Sequence, residues 1–241
     1  MELPLVIGRS SINQEFSTNI IALPHLFISY SDEDHMRQLI NSFCNQLVVP
    51  NLNFFLAVHK ETYTLVETII PTSKIASLFI TNEALEITPI SYKIFMDKLI
   101  KELNKRSNLL AKFNISNIKE LNSLMKSNKN YKSINNIIVV ADNIFELVLS
   151  KHKKTGINFL KLVVDGPTSG IHLIAAGANS YRNLLKQLIY VHPALKTILD
   201  KNNISMSLNS NNALGAELIL TGEGLRFFKE RHQDDFTKLY P

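Results

Sequence analysis

Asp32, Glu33, Asp34 and His35 form the densest run of potential metal-ligating side chains in the chain. They stand in the stretch LPHLFISYSDEDHMRQLINSFCNQL, from Leu23 to Leu47, directly after an apolar run. Neighbours along one backbone cannot enclose a cation, so a stable site needs further ligands from elsewhere. The same residues have a simpler use. Asp, Glu and Ser at a helix start accept hydrogen bonds from its free N–H groups and complement its dipole. The sequence favours this self-capped helix start, with a weak cation site as the sharp alternative. Ser29, Ser31 and His35 do not make a G-x-S-x-G elbow, so a hydrolase reading has no support. Cys44 has apolar neighbours and no evident catalytic partner, and reads as core. His25 and His172 fall inside strand patterns and read as packed, hydrogen-bonded core residues rather than ligands. Lys151, Lys153 and Lys154, in the run KHKK, and the Lys-rich stretch 126–132 could contact DNA phosphates, although such runs are usually solvated surface.

The elements that must position these groups follow from periodicity. Pro24 introduces a strand, His25 to Ser29, too apolar for an edge. Ser31 with Asp34 fits a capping box, and Met36, Leu39, Ile40, Phe43 and Leu47 recur at helical spacing from about Glu33 to Leu47. Leu3 to Gly8 and Phe16 to Ile20 read as two earlier strands. Asn53 to Val58, Ser77 to Thr81, Ile137 to Ala141 and Ile171 to Ala176 read as further buried strands. Helices are expected around Thr64 to Ile70, Ser91 to Leu110, up to Ser150, and over Gly156 to Val164, Tyr181 to Ile189 and Pro193 to Lys201. Ser116 to Ser133 reads as a polar surface excursion with a short helix. Ile204 to Leu208, Glu217 to Leu220 and Leu225 to Phe228 read as closing strands. Strands alternating with helices argue a mostly parallel, doubly wound α/β sheet with helices on both faces.

With 241 residues and 45% hydrophobic content, the chain can bury one large core. No Gly/Pro/Ser-rich linker interrupts it, so one domain over 1–241 is expected. Charged residues make up 20%, which excludes a disordered charged tail. A net charge of +5 and a pI near 9.2 permit nucleic acid or an acidic surface as partner without requiring either. A single cysteine excludes a disulfide framework and fits a reducing cytoplasm. No apolar run approaches the ~20 residues of a membrane span, and MELPLVIGRS lacks the features of a signal peptide.

Four stretches, in order, resemble the motor domain of FtsK/SpoIIIE-type (FtsK/HerA-type) DNA translocases. They are LPHLFIS; KELNKRSNLLAKFNISNIKELN; INNIIVVADNIFELV, similar to a Walker B strand; and SGIHLIAAGANS, similar to a strand ending in a polar sensor. The resemblance implies a RecA-like P-loop NTPase core over 23–228, preceded by N-terminal strands in 1–22 and followed by a tail in 229–241. It also implies an ancestral activity, ATP hydrolysis with magnesium coupled to movement of double-stranded DNA.

The departures from that pattern bear on function. In the family's GxxGxGK[ST] loop, glycines turn backbone N–H groups toward phosphate and the lysine neutralises it. Glu33 and His35 stand where glycines are expected, Met36 at the lysine and Arg37 at the magnesium-ligand hydroxyl. Asp32, Glu33 and Asp34 would face a triphosphate with like charge. Asp142 keeps the Walker B aspartate, but Asn143 replaces the catalytic glutamate, and an amide cannot take a proton from water. Gly177, Ala178 and Asn179 replace the Thr-Gln-Arg sensor. Since the Walker A and B elements adjoin in the family fold, Asp142 is the natural partner of the acidic run in any cation site. The expectation is therefore a non-catalytic pseudo-ATPase with no cofactor, acting through a protein partner or self-association. An ATP-dependent DNA translocase with an atypical site, and a DNA-binding module without ATPase activity, are the alternatives.

Overall fold

The structure is a computed structural model, and it describes residues 3–9, 15–21, 23–81, 89–126, 133–143, 153–178, 190, 216–221, 224–228 and 238–239. The expected helices up to Ser150, over Tyr181–Ile189 and over Pro193–Lys201, the strand Ile204–Leu208 and nearly all of the tail lie outside these residues.

The run from Leu26 to Tyr30 is buried on both sides through Ser29, and it forms a central strand, β3. Hydrophobic residues on both faces of a strand require a layer over each face, and the chain supplies both. On one face lies helix α1 (Glu33–Gln46), which buries Met36, Leu39, Ile40, Phe43 and Cys44. It packs over Leu26 and Ile28 of β3 and the alternate residues Phe54, Leu56 and Val58 of β4 (Leu52–His59). On the other face, helices α3 (Pro89–Phe113) and α5 (Lys153–Asp165) cover Phe27, Phe55 and Ala57. The remaining wall of that second core comes from β6 (Asn136–Ala141) and β7 (Ile171–Gly177). The period-two alternation along each strand thus sorts its side chains into two cores.

Within the described residues the main sheet has eight strands. It is completed by β5 (Ile75–Thr81), β8 (Ala216–Thr221), β9 (Gly224–Phe228) and β10 (Lys238–Leu239), in the order β10-β9-β8-β3-β7-β6-β4-β5. The run from β8 to β5 is parallel throughout, while β9 and β10 add antiparallel. The chain leaves β3 through α1 and returns three positions away as β4. The gap is filled later by β6 and β7, whose Ile174 and Ala176 lie beside Leu26 and Ile28. A hairpin of β1 (Pro4–Arg9) and β2 (Glu15–Asn19) sits on the α1 face. Gln46 holds it there, accepting from the Val6 N–H at 2.7 Å and donating to the Val6 carbonyl at 3.1 Å.

Three elements differ from the sequence expectation. Helix α2 spans Lys60–Val66 rather than Thr64 to Ile70. It starts directly from the end of β4, because the His59 N–H is fixed by Asp142 at 2.8 Å. Helix α3 extends to Phe113, where Asn114 takes φ 51° and the Ile115 N–H reaches back to the Leu110 carbonyl. That is a Schellman-type end, for which Asn is one of the few suitable residues. The stretch 116–133 is more than a surface excursion. Helix α4 (Ile118–Lys126) buries Ile118, Leu121 and Met125 against Leu110 in a small third core. Asn117 and Glu120 cap it reciprocally, and Asn122 exchanges two hydrogen bonds with the backbone of Ile134.

Arg106 locks the opposite end of the sheet. Its side chain is almost wholly buried. Its guanidinium donates to Glu102, to the Ser169 carbonyl at 3.0 Å and to the Asn135 carbonyl at 2.8 Å. A planar fork of donors thereby ties α3 to the turns that lead into β6 and β7.

Candidate functional site

In open α/β sheets, ligands bind at the C-terminal ends of the parallel strands, where helix N-termini also point. Here that edge is built from Tyr30 of β3, Gly177 of β7, Ala141 and Asp142 of and after β6, and His59 of β4.

The connection from β3 to α1 consists of Ser31 and Asp32 alone. Residues Glu33, Asp34 and His35, placed in a phosphate loop by the family resemblance, form the first turn of α1. No glycine lies among them to turn successive N–H groups outward. Asp32, not Ser31, is the N-cap: its backbone is extended and its Oδ1 accepts the His35 N–H at 3.0 Å. That backbone hydrogen bond, with the nearby His35 ring, holds the Asp32 carboxyl below its usual range. Its other oxygen lies 3.3 Å from His35 Nδ1.

The next two positions are likewise committed inside the chain. Met36 is buried in the core beneath β3, with Leu39 and Ile40. Arg37 donates to Glu33 at 2.8 Å and to Asp34 at 3.0 Å, two carboxylates on its own helix. A guanidinium so held has little charge to offer an external phosphate.

Asp142 follows β6 and is buried. Both its oxygens face His59: Oδ2 accepts the backbone N–H at 2.8 Å, and Oδ1 lies 3.2 Å from ring Nδ1. The carboxylate is thus turned sideways toward β4. Strand β7 stands between β6 and β3, so Asp142 and the acidic run follow strands that are not neighbours. Among the described residues no group of three or more His, Cys, Asp or Glu side chains is placed to hold a metal ion. Asn143 is half-buried, Gly177 is buried in register with Ser29, and Ala178 is exposed; Asn179 lies outside the described residues.

His59 is the residue that sequence reasoning missed. Its signal was its position, the last residue of the apolar run LNFFLAVH, at a strand's C-terminal end. The basic run begins α5: Lys153 and Lys154 open the helix, Lys154 is exposed, and Lys151 lies outside the described residues. Cys44 is buried and its thiol is pushed up to about 12 by burial, which makes it inert at neutral pH.

The strand order, with the helix after β3 at the C-terminal edge and Asp142 after β6, defines a RecA-like P-loop ATPase fold. Solved structures of similar shape include two ATPases and a conjugation coupling protein. The cytoplasmic domain of the type VII secretion ATPase EccC from Thermomonospora curvata superposes with a TM-score of 0.63 at 18% identity, over 78% of this chain and 23% of that one. EssC (ATPases 2 and 3) from Geobacillus thermodenitrificans gives 0.62 at 12% identity, over 99% of this chain and 44% of that one. The pCW3 conjugation coupling protein TcpA, in its monomer form with ATPγS, gives 0.57 at 13% identity, over 100% of this chain and 66% of that one. The chain therefore spans from under a quarter to two thirds of the length of these three chains. No protein-family model and no curated protein matches the sequence. Among the described residues no helix is long and apolar enough to cross a membrane.

Proposed function

We propose that this chain is a non-catalytic FtsK/SpoIIIE-like pseudo-ATPase domain that works as a structural or interaction module, docking on a related motor domain or on itself. The observation that carries this reading is the two-residue connection between β3 and α1, capped in cis by Asp32. A triphosphate needs a loop whose N–H groups converge on it and a lysine beside it. Here those N–H groups have an internal acceptor, Met36 is in the core, and Arg37 is held by two acids. The engagement of Asp142 by His59 supports the same reading, because a carboxylate with both oxygens occupied is a poor magnesium ligand. Asn143 in the glutamate position would leave hydrolysis without its base even if nucleotide bound. On this reading ATP and magnesium are not cofactors.

The similar proteins are a secretion ATPase and a conjugation coupling protein, which supports a place in a larger assembly. Phosphate release with magnesium and ATP, with and without double-stranded DNA, tests the proposal. The expected rate is that of the buffer in both cases. DNA-stimulated release would support instead the translocase with an atypical site. DNA binding without turnover, falling steeply with salt, would support the DNA-binding module, with Lys151, Lys153 and Lys154 as its phosphate contacts.

A further inference from the structure

A cavity of about 370 Å³ lies at the opposite end of the sheet from the strand-end edge described above, between α4 and the strand starts. One wall is a single face of α4, where Lys119, Ser123 and Lys126 follow one another at helical spacing. The facing wall is Asn51, just before β4, Asn136 at the start of β6, and His172 of β7. Ile118 and Pro167 supply apolar surface.

Three features mark this cavity as more than a packing gap. First, His172 is buried and its Nδ1 lies 3.2 Å from the Pro24 carbonyl. A carbonyl can only accept, so Nδ1 carries the proton and Nε2 is an acceptor; among the described residues Nε2 has no hydrogen-bond partner. Second, the side-chain amides of Asn51 and Asn136 make no hydrogen bond among the described residues. Third, the lining contains two lysines and no carboxylate, so the cavity has one sign of charge. Its shape also depends on Gly170, at φ +68°, because a Cβ there would meet Asn136 Oδ1 at 2.5 Å.

We infer that this cavity binds a small organic anion, a phosphate or carboxylate ester-sized molecule that also carries an O–H or N–H donor. The acidic group meets Lys119 and Lys126 at the mouth, the amides of Asn51 and Asn136 fix its polar middle, and the donor reaches toward His172. The volume lies in the range of small-molecule sites. The site is separate from the α1 edge, so it stands whether or not that edge holds nucleotide.

The test is thermal-shift and calorimetric titration of the full chain with inorganic phosphate, glycerol 3-phosphate, adenosine monophosphate and citrate. At least one organic anion is expected to raise the melting temperature more than inorganic phosphate does. Ser123→Phe, which fills the cavity from the helix surface, should abolish that shift. Lys119→Ala with Lys126→Ala should weaken binding about tenfold or more. Arg37→Ala, at the other edge, should leave it unchanged. No shift with any of the organic anions at millimolar concentration overturns the inference, as does a shift that survives Ser123→Phe or is lost in Arg37→Ala.

Discussion

The two strand histidines show what single residues contribute. The Leu173 N–H donates to His25 Nδ1 at 3.0 Å, which leaves Nε2 as the protonated nitrogen, 2.9 Å from the Val163 carbonyl. His25 therefore bridges β7 and the helix behind it in its neutral form, and burial lowers its pKa to about 3. Burial likewise lowers His172 to about 4. Below the ordinary value of 6.5 the unfolded chain binds protons that the folded chain refuses, so stability is complete above that pH and falls as pH falls toward 4. Each histidine contributes about 1.4 kcal/mol per pH unit, so urea unfolding should show a loss of roughly 4 kcal/mol by pH ~5. His25→Gln should flatten that slope, and a stability constant over this window would contradict the account. At the α1 edge, Asp32→Ala should lower the melting temperature without creating nucleotide affinity, since it removes a cap and adds no phosphate ligand. Both histidines were legible as core residues from their apolar surroundings. Their bonding was not, because partners 138 and 148 residues away depend on strand order.

At the scale of elements, the lower end of the sheet depends on one buried cation and one left-handed turn. Arg106→Met would leave the carbonyls of Asn135 and Ser169 without their donor and Glu102 with only the longer contact to Lys105 at 3.7 Å. A loss of about 3 kcal/mol or more is expected in chemical denaturation. Gly170→Ala faces both φ +68° and a Cβ 2.7 Å from Ile118 Cγ2, so it should cost about 1–3 kcal/mol by the same measurement. The sequence made the strands and α1 legible, because buried alternation and a helical stripe are local signals. It placed α2 several residues late, since the start of that helix is set by a bond from Asp142, 83 residues on. It undervalued α4, whose short apolar cluster gains meaning only against the C-terminal half of α3. Nothing in the sequence around Arg106 sets it apart from Lys101 and Lys105 on the same helix, and only the packing of three elements around it does.

At the scale of the whole molecule, the order of four degenerate stretches was enough to anticipate a RecA-like fold, and the strand order and the structural similarities agree with it. Motif spacing could identify which residues stand at the loop. It could not reveal that Asp142 faces His59 or that Arg37 is held by its own helix, because both depend on side-chain geometry. Calorimetric titration of the chain with ATPγS and magnesium near physiological salt tests this central point most directly. The account predicts no heat of binding and no thermal shift at millimolar ligand. Binding at micromolar affinity that is lost in Asp142→Ala would contradict it and restore the nucleotide site.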